Sequence, residues 1–195
     1  MMQLREKMQL RENILTGRKA LALGLLLAAL IASLLAARPA AAATGAVAWG
    51  SNNFGELGNG TNTDSNVPVS VSNLGDIKSV EGGCFHSLAL KTDGTVRSWG
   101  NGAGGQLGNG TSGSGTYSNV PVTVSNLSGV KAIAAGSNHG LALLDDGKVR
   151  AWGYNAYGQL GDGTNTSKNT PVTVSNLTGV QAIGGGSGLS LAVKQ

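Results

Sequence analysis

Residues 86–100 read His86-Ser87-Leu88-Ala89-Leu90-Lys91-Thr92-Asp93-Gly94-Thr95-Val96-Arg97-Ser98-Trp99-Gly100. Two short, largely apolar runs flank one Asp-Gly pair. Asp-Gly between such runs predicts a β-hairpin, with a type I′ turn that takes positive φ at both central residues. Residues 139–153 repeat the pattern, with Leu141-Ala142-Leu143 joined through Asp146-Gly147 to Val149-Arg150-Ala151-Trp152.

Working outward, the hairpin is one part of a longer period. Trp49, Trp99 and Trp152 are spaced by 50 and 53 residues, and Pro68, Pro121 and Pro171 by 53 and 50. The three-residue difference sits between Thr111 and Pro121, where Gly113-Ser114-Gly115 lengthens the second copy. Each copy carries Trp-Gly, then Gly-Glu/Gln-Leu-Gly-Asn/Asp-Gly-Thr, then Pro-Val-x-Val-Ser-Asn-Leu. The first two copies go on to Gly-x-x-His-x-Leu-Ala-Leu, and in the third Leu189 replaces the histidine of His86 and His139. Apolar spacing is mostly two (Val69 and Val71, Val122 and Val124, Val172 and Val174), and no helical stripe follows residue 44. Four short strands per copy of about 50 residues predict propeller blades. The expected fold is all-β, with three four-stranded repeats of an incomplete ring at about 45–95, 96–148 and 149–195.

Composition narrows the function. Glycine makes up 32 of 195 residues without a Gly-X-Y period, and the chain has one cysteine. A disulfide scaffold within one chain and a multi-cysteine metal site are excluded. The net charge of +4 lies in residues 1–43. The remainder carries eight basic and eight acidic residues. A neutral body has no electrostatic footprint for phosphate backbones, so no nucleic-acid partner is expected.

Residues 1–43 read as an export signal. Five basic residues fall in the first nineteen. A stretch from Ala20 to Ala37 follows, apolar except for Gly24 and Ser33, and then Arg38-Pro39 and Ala40–Ala43. Positive flank, apolar helix, breaker and small-residue cleavage site are the order of a signal peptide. An uncleaved signal anchor is the alternative, since the stretch is long enough to span a bilayer. Either way the body is expected outside the cytoplasm, secreted or at the cell surface. Cys84 has no activating base beside it in sequence and is expected to be buried.

Trp-Gly-x-Asn-x-x-Gly-Gln-Leu-Gly-x-Gly, the Pro-Val strand, Gly-x-x-His-x-Leu-Ala-Leu and Asp-Gly-x-Val-x-x-Trp-Gly together resemble the regulator of chromosome condensation repeat. The resemblance covers about residues 45–195. It implies a β-propeller serving as a non-enzymatic binding platform. The family's founder is an exchange factor for a small GTPase that binds chromatin, and exported bacterial relatives include an inhibitor of β-lactamases. Three copies fall short of the usual ring of roughly four to eight blades. The sequence therefore reads first as part of a longer propeller, and next as a chain whose self-association completes one, with two copies making six blades.

Candidate sites follow from variation among the copies. The tryptophans are expected to pack between blades. Phe54, Tyr117, Tyr154 and Tyr157 lie in loop positions and are candidate partner-binding anchors, since aromatics supply rigid contact area. His86 and His139 are expected to be strand-end histidines bonded to backbone rather than a metal pair. The Asn59–Asp64 and Asp162–Asn165 loops resemble calcium loops in their oxygens, but turn chemistry accounts for them. No catalytic constellation, cofactor or metal is expected. The expected function is that of an exported module binding a protein partner. An inhibitor of an extracytoplasmic enzyme such as a β-lactamase is the second reading, and a polysaccharide-acting enzyme or carbohydrate-binding module the third.

Overall fold

The Asp-Gly pairs turn the chain where the sequence places them, but with another geometry. In the computed structural model, which describes residues 45–195, β4 (His86–Lys91) and β5 (Val96–Asn101) pair antiparallel with Leu88 opposite Ser98. Gly94 N–H donates to Lys91 O at 3.0 Å, and Lys91 N–H to Thr95 O at 2.9 Å. Gly94 has φ +80°, whereas Asp93 is not among the residues with positive φ. The connection is therefore a type I turn closed by a glycine bulge, not type I′. Asp93 Oδ1 accepts from the Thr95 amide at 2.9 Å and its hydroxyl at 2.6 Å, which holds the longer loop. The turn between β8 (His139–Leu144) and β9 (Val149–Gly153) has the same pattern, with Gly147 at φ +74°.

These hairpins are the middle of two four-stranded antiparallel sheets. One runs β3 (Ile77–Gly82), β4, β5, β6 (Tyr117–Thr123). The other runs β7 (Val130–Ala135), β8, β9, β10 (Lys168–Thr173). Two further pairs complete the described residues: β1 (Val47–Gly50) with β2 (Ser65–Ser70), and β11 (Val180–Gly185) with β12 (Ser190–Lys194). The first corresponds by sequence to β5–β6, the second to β3–β4. Each four-stranded sheet is thus stitched from two successive sequence copies. This is the expected all-β blade architecture. After each Pro-Val strand the chain turns through Asn73, Asn126 or Asn176, which take φ of 51–55°, a conformation asparagine tolerates.

The apolar residues meet between sheets. β7 lies against β3 and β4, and β11 against β7 and β8. Trp99 packs with Val71, Leu74 and Ala89, where β1–β2 meets the first full sheet. Trp152 packs with Leu88, Leu90, Val124 and Ile133 between the two full sheets. The third cluster, around Leu141, Leu143, Val149 and Leu160 against Val180, holds no indole. Trp99 and Trp152 are therefore inter-blade core, as the sequence suggests, whereas Trp49 is 63% exposed.

The basic flank, the Ala20–Ala37 stretch and its small-residue stop lie outside the described residues. Among the described residues no helix is long and apolar enough to cross a membrane.

Candidate functional site

The loop after each Trp-Gly strand is built around a buried polar side chain. In the first copy Asn52 is fully buried. Its Nδ2 donates to Thr61 O and Thr63 O, both at 3.0 Å, and its Oδ1 accepts from the Leu57 amide at 2.9 Å. Asn155 does the same in the third copy, with Thr164 O at 2.9 Å, Thr166 O at 3.1 Å and the Leu160 amide at 2.9 Å. One side chain thereby satisfies three backbone groups that would otherwise be costly to bury. In the second copy Gly102 holds this place, and a Cβ there would meet Leu107 and Thr116 at 2.8–2.9 Å. The Gly113-Ser114-Gly115 insertion folds the longer loop back, so that the Gly102 amide bonds Thr116 O at 2.9 Å.

With Asn52 and Leu57 turned inward, the residue between them turns out. Phe54 is 36% exposed and Tyr157, at the equivalent position, 76%. Phe54 meets Phe85 edge to face, with ring centroids 5.6 Å apart. Tyr157 meets Tyr154 in the same way at 6.3 Å. The Phe85 position in the next copy along from Tyr157 is Gly188, where an added Cβ would lie 3.2 Å from the tyrosine ring. The structure therefore joins Tyr154 with Tyr157, and Phe54 with a residue that sequence reasoning missed. Phe85 was legible as the odd aromatic opposite Asn138 and Gly188, had the turn before His86 been compared across copies. Tyr117 stands apart from both pairs: it is 52% exposed at the start of β6, opposite Asn101.

Tyr154 also walls a cleft of about 400 Å³, with Ala103, Gly104 and Ser112 on one side and Lys168 and Asn169 on the other. Lys168 Nζ lies 3.7 Å from Asp162. Burial pushes the Asp162 carboxyl up, but Thr164's hydroxyl and amide, with Lys168, outweigh it and leave it below the usual range. Asp162 and Asn59 each accept from the amide and hydroxyl two residues on, which is the turn role expected of these loops.

The two histidines differ from each other in their partners. Both are buried at strand ends, His86 beside the backbone of His139 and His139 against a side chain. His139 Nε2 lies 2.9 Å from Ser190 Oγ, whose own proton goes to Gln159 O at 2.7 Å, so the ring nitrogen carries the hydrogen. The residue in Ser190's place one copy earlier is Gly140, which has no hydroxyl. His86 consequently lacks the hydroxyl partner that His139 has. Burial, and then the nearby His139, lower the His86 pKa to about 4. Burial lowers His139 as well. Cys84 is exposed, contrary to expectation, because it sits in the turn before β4 with its amide on Ser137 O. Among the described residues no three metal-capable side chains lie together.

Comparison with known proteins agrees with this geometry. The regulator of chromosome condensation (RCC1) repeat matches residues 47–90, 93–143 and 146–193. The chain is 35% identical over 117 residues to the ultraviolet-B receptor UVR8 of Arabidopsis thaliana, covering 58% of this chain and 26% of that one. It is 37% identical over 118 residues to the human E3 ubiquitin-protein ligase HERC2, covering 58% of this chain and 2% of the ligase. The chain thus spans about a quarter or less of these relatives. Prp20p of Saccharomyces cerevisiae, described with its binding to Gsp1p and histones, superposes with a TM-score of 0.69 at 25% identity, over 78% of this chain and 40% of that one. Human WBSCR16 superposes at 0.66 and 24%, over 77% and 40%, and shows the fold alone. With three matched repeats, stacked four-stranded sheets and propeller neighbours, the chain belongs to the regulator of chromosome condensation repeat family.

Proposed function

We infer that this chain is an exported, non-enzymatic repeat module that binds a protein partner through the loop face bearing Phe54, Phe85, Tyr154 and Tyr157. The observation that carries the reading is the pair of edge-to-face aromatic contacts left exposed on equivalent loops. Rings held against each other lose little freedom on binding and bury large area, the property of interface anchors. The cleft beside Tyr154 adds the ammonium donor of Lys168. The charge-balanced body makes shape and aromatic contact, rather than long-range attraction, the source of affinity. The basic and apolar leader supports placement outside the cytoplasm.

Two experiments test this. A photoreactive benzoylphenylalanine replacing Tyr157 in producing cells is expected to give a discrete heavier adduct that weakens with Tyr154→Ala. The same probe at Lys131 is expected to give none. No adduct at 54 or 157, or equal yield at 131, overturns the binding face. Alkaline phosphatase fused after Gln195 is expected to be active, and an inactive fusion overturns export.

A further inference from the structure

The body is neutral as a whole but not end by end. Its strand registers set Ile77 opposite Lys91, Leu90 opposite Val96 and Leu143 opposite Val149, so these strand ends and the two Asp-Gly turns share one face. The aromatic loops leave the opposite strand ends. Lys78 Nζ donates to Lys131 O at 2.9 Å and joins the turn face across a blade junction.

Charge follows the same division. Each turn is neutral by itself, since Lys91 lies 3.2 Å from Asp93 and Lys148 lies 2.9 Å from Asp146. Around the turns stand Lys78, Arg97, Lys131, Arg150 and Lys194 against Asp76 and Asp145, a surplus of three positive charges. Toward the loops the described residues hold Lys168 against Glu56, Asp64, Glu81 and Asp162, a surplus of three negative charges. Lys78, Lys131 and Lys194 are exposed. Arg97 and Arg150 are half-buried along their strands, with guanidinium groups on the Thr123 and Thr173 hydroxyls at 2.6 and 2.7 Å.

The chain enters the body on this same face. The Val71 amide donates to Ala46 O at 2.9 Å, just beyond the pairing of Val47 with Ser70, at the end of β1 away from the loops. The apolar stretch of the leader ends at Ala37, so the tether to Gly45 reaches at most about 28 Å.

We propose that the turn face docks on the anionic phospholipid headgroups of the bilayer that holds the leader, with the aromatic loops directed away. Lysine and arginine beside a negatively charged leaflet are drawn to it. The short tether keeps them at high effective concentration. The same surface repels the acidic loop end, which orients the body and leaves Phe54, Phe85, Tyr154 and Tyr157 free for a partner. This docking rests on the signal-anchor reading of the leader and not on the aromatic site.

The test uses the full, uncleaved chain inserted through its leader into preformed vesicles, with Cys84→Ser removing the native thiol. Its failure is thus distinct from an inactive phosphatase fusion. One set of vesicles is phosphatidylcholine, the other equal parts phosphatidylcholine and phosphatidylglycerol. A fluorophore on Thr92→Cys reports the turn face and one on Ser114→Cys the loop face, both at exposed positions, against a quencher carried on lipid headgroups. The Thr92 label is expected to be quenched in the phosphatidylglycerol vesicles, released by salt, and unquenched in phosphatidylcholine. The Ser114 label is expected to stay unquenched in both. Lys78→Gln, Lys131→Gln and Arg150→Gln should lower the docked-to-free ratio about fivefold per charge removed, with circular dichroism unchanged. Lys168→Gln should leave the ratio as it was. Equal quenching of the two labels, equal quenching of the Thr92 label in the two lipids, or an unmoved triple variant overturns the proposal. Release of the Thr92 label by an equal charge of duplex DNA assigns the face to nucleic acid and overturns it as well.

Discussion

At the scale of single residues, His86 is the most exacting group in the body. It is buried, it lacks the hydroxyl partner that His139 has, and burial lowers its pKa to about 4 from an ordinary 6.5. The folded state therefore holds the neutral ring while the unfolded chain takes a proton, so stability is complete above about pH 6.5 and declines as pH falls toward 4. At about 1.36 kcal/mol per pKa unit the loss from this residue approaches 3 kcal/mol. The depressed His139 adds loss of the same sign. Urea unfolding at pH 7, 5.5 and 4 should show this fall. His86→Leu, which copies the residue at Leu189, should flatten it, and an unchanged slope would refute the assignment. The sequence announces a histidine repeated in register but not its isolation. That isolation follows from Gly140 standing where Ser87 and Ser190 stand, a coincidence between copies that periodicity does not weight.

At the scale of elements, the hairpins show how far a local signal reaches. Asp93-Gly94 and Asp146-Gly147 locate the turns and fix the register of the flanking strands. They do not select between a two-residue and a three-residue loop, because the Asp93 side chain closes the longer one on Thr95. Gly94 alone carries the positive φ, and an added Cβ would meet the Val130 amide only at an ordinary contact distance of 3.6 Å. Gly94→Ala should therefore cost roughly 1–2 kcal/mol through backbone strain alone. Gly94→Asn should recover much of that, since asparagine tolerates the left-handed region. Chemical denaturation of the two variants checks this, and equal losses would mean that contact, not φ, sets the cost. The strands themselves were legible because alternation is a property of one chain segment. The aromatic site was legible by halves: Phe54 and Tyr157 stand out in their loops, but the contact of Phe54 with Phe85, 31 residues on, is visible only in the folded chain.

At the scale of the whole molecule, the cohesion is between sheets. Trp152 sits fully buried at the junction of the two complete sheets, with its N–H on Gln106 O. Trp152→Ala should destabilise by about 3–5 kcal/mol, the cost of emptying a large aromatic site. Trp49→Ala should be near neutral in the isolated copy, where the ring is exposed. Thermal unfolding of both variants at dilute concentration separates them, and comparable losses would show that Trp49 is already engaged. The propeller architecture was legible because the repeat is long, in register and made of strands. The identity of the neighbours across each junction was not, since it depends on which face every strand presents.

Because each four-stranded sheet borrows strands from two consecutive fifty-residue units, the seam of these sheets does not coincide with the seam of the sequence period. Duplicating or excising one unit would lengthen or shorten the stack by a single blade, while the outermost strands kept the same chemistry. Array length and edge identity are therefore separable variables in this architecture, and one can drift under selection without disturbing the other.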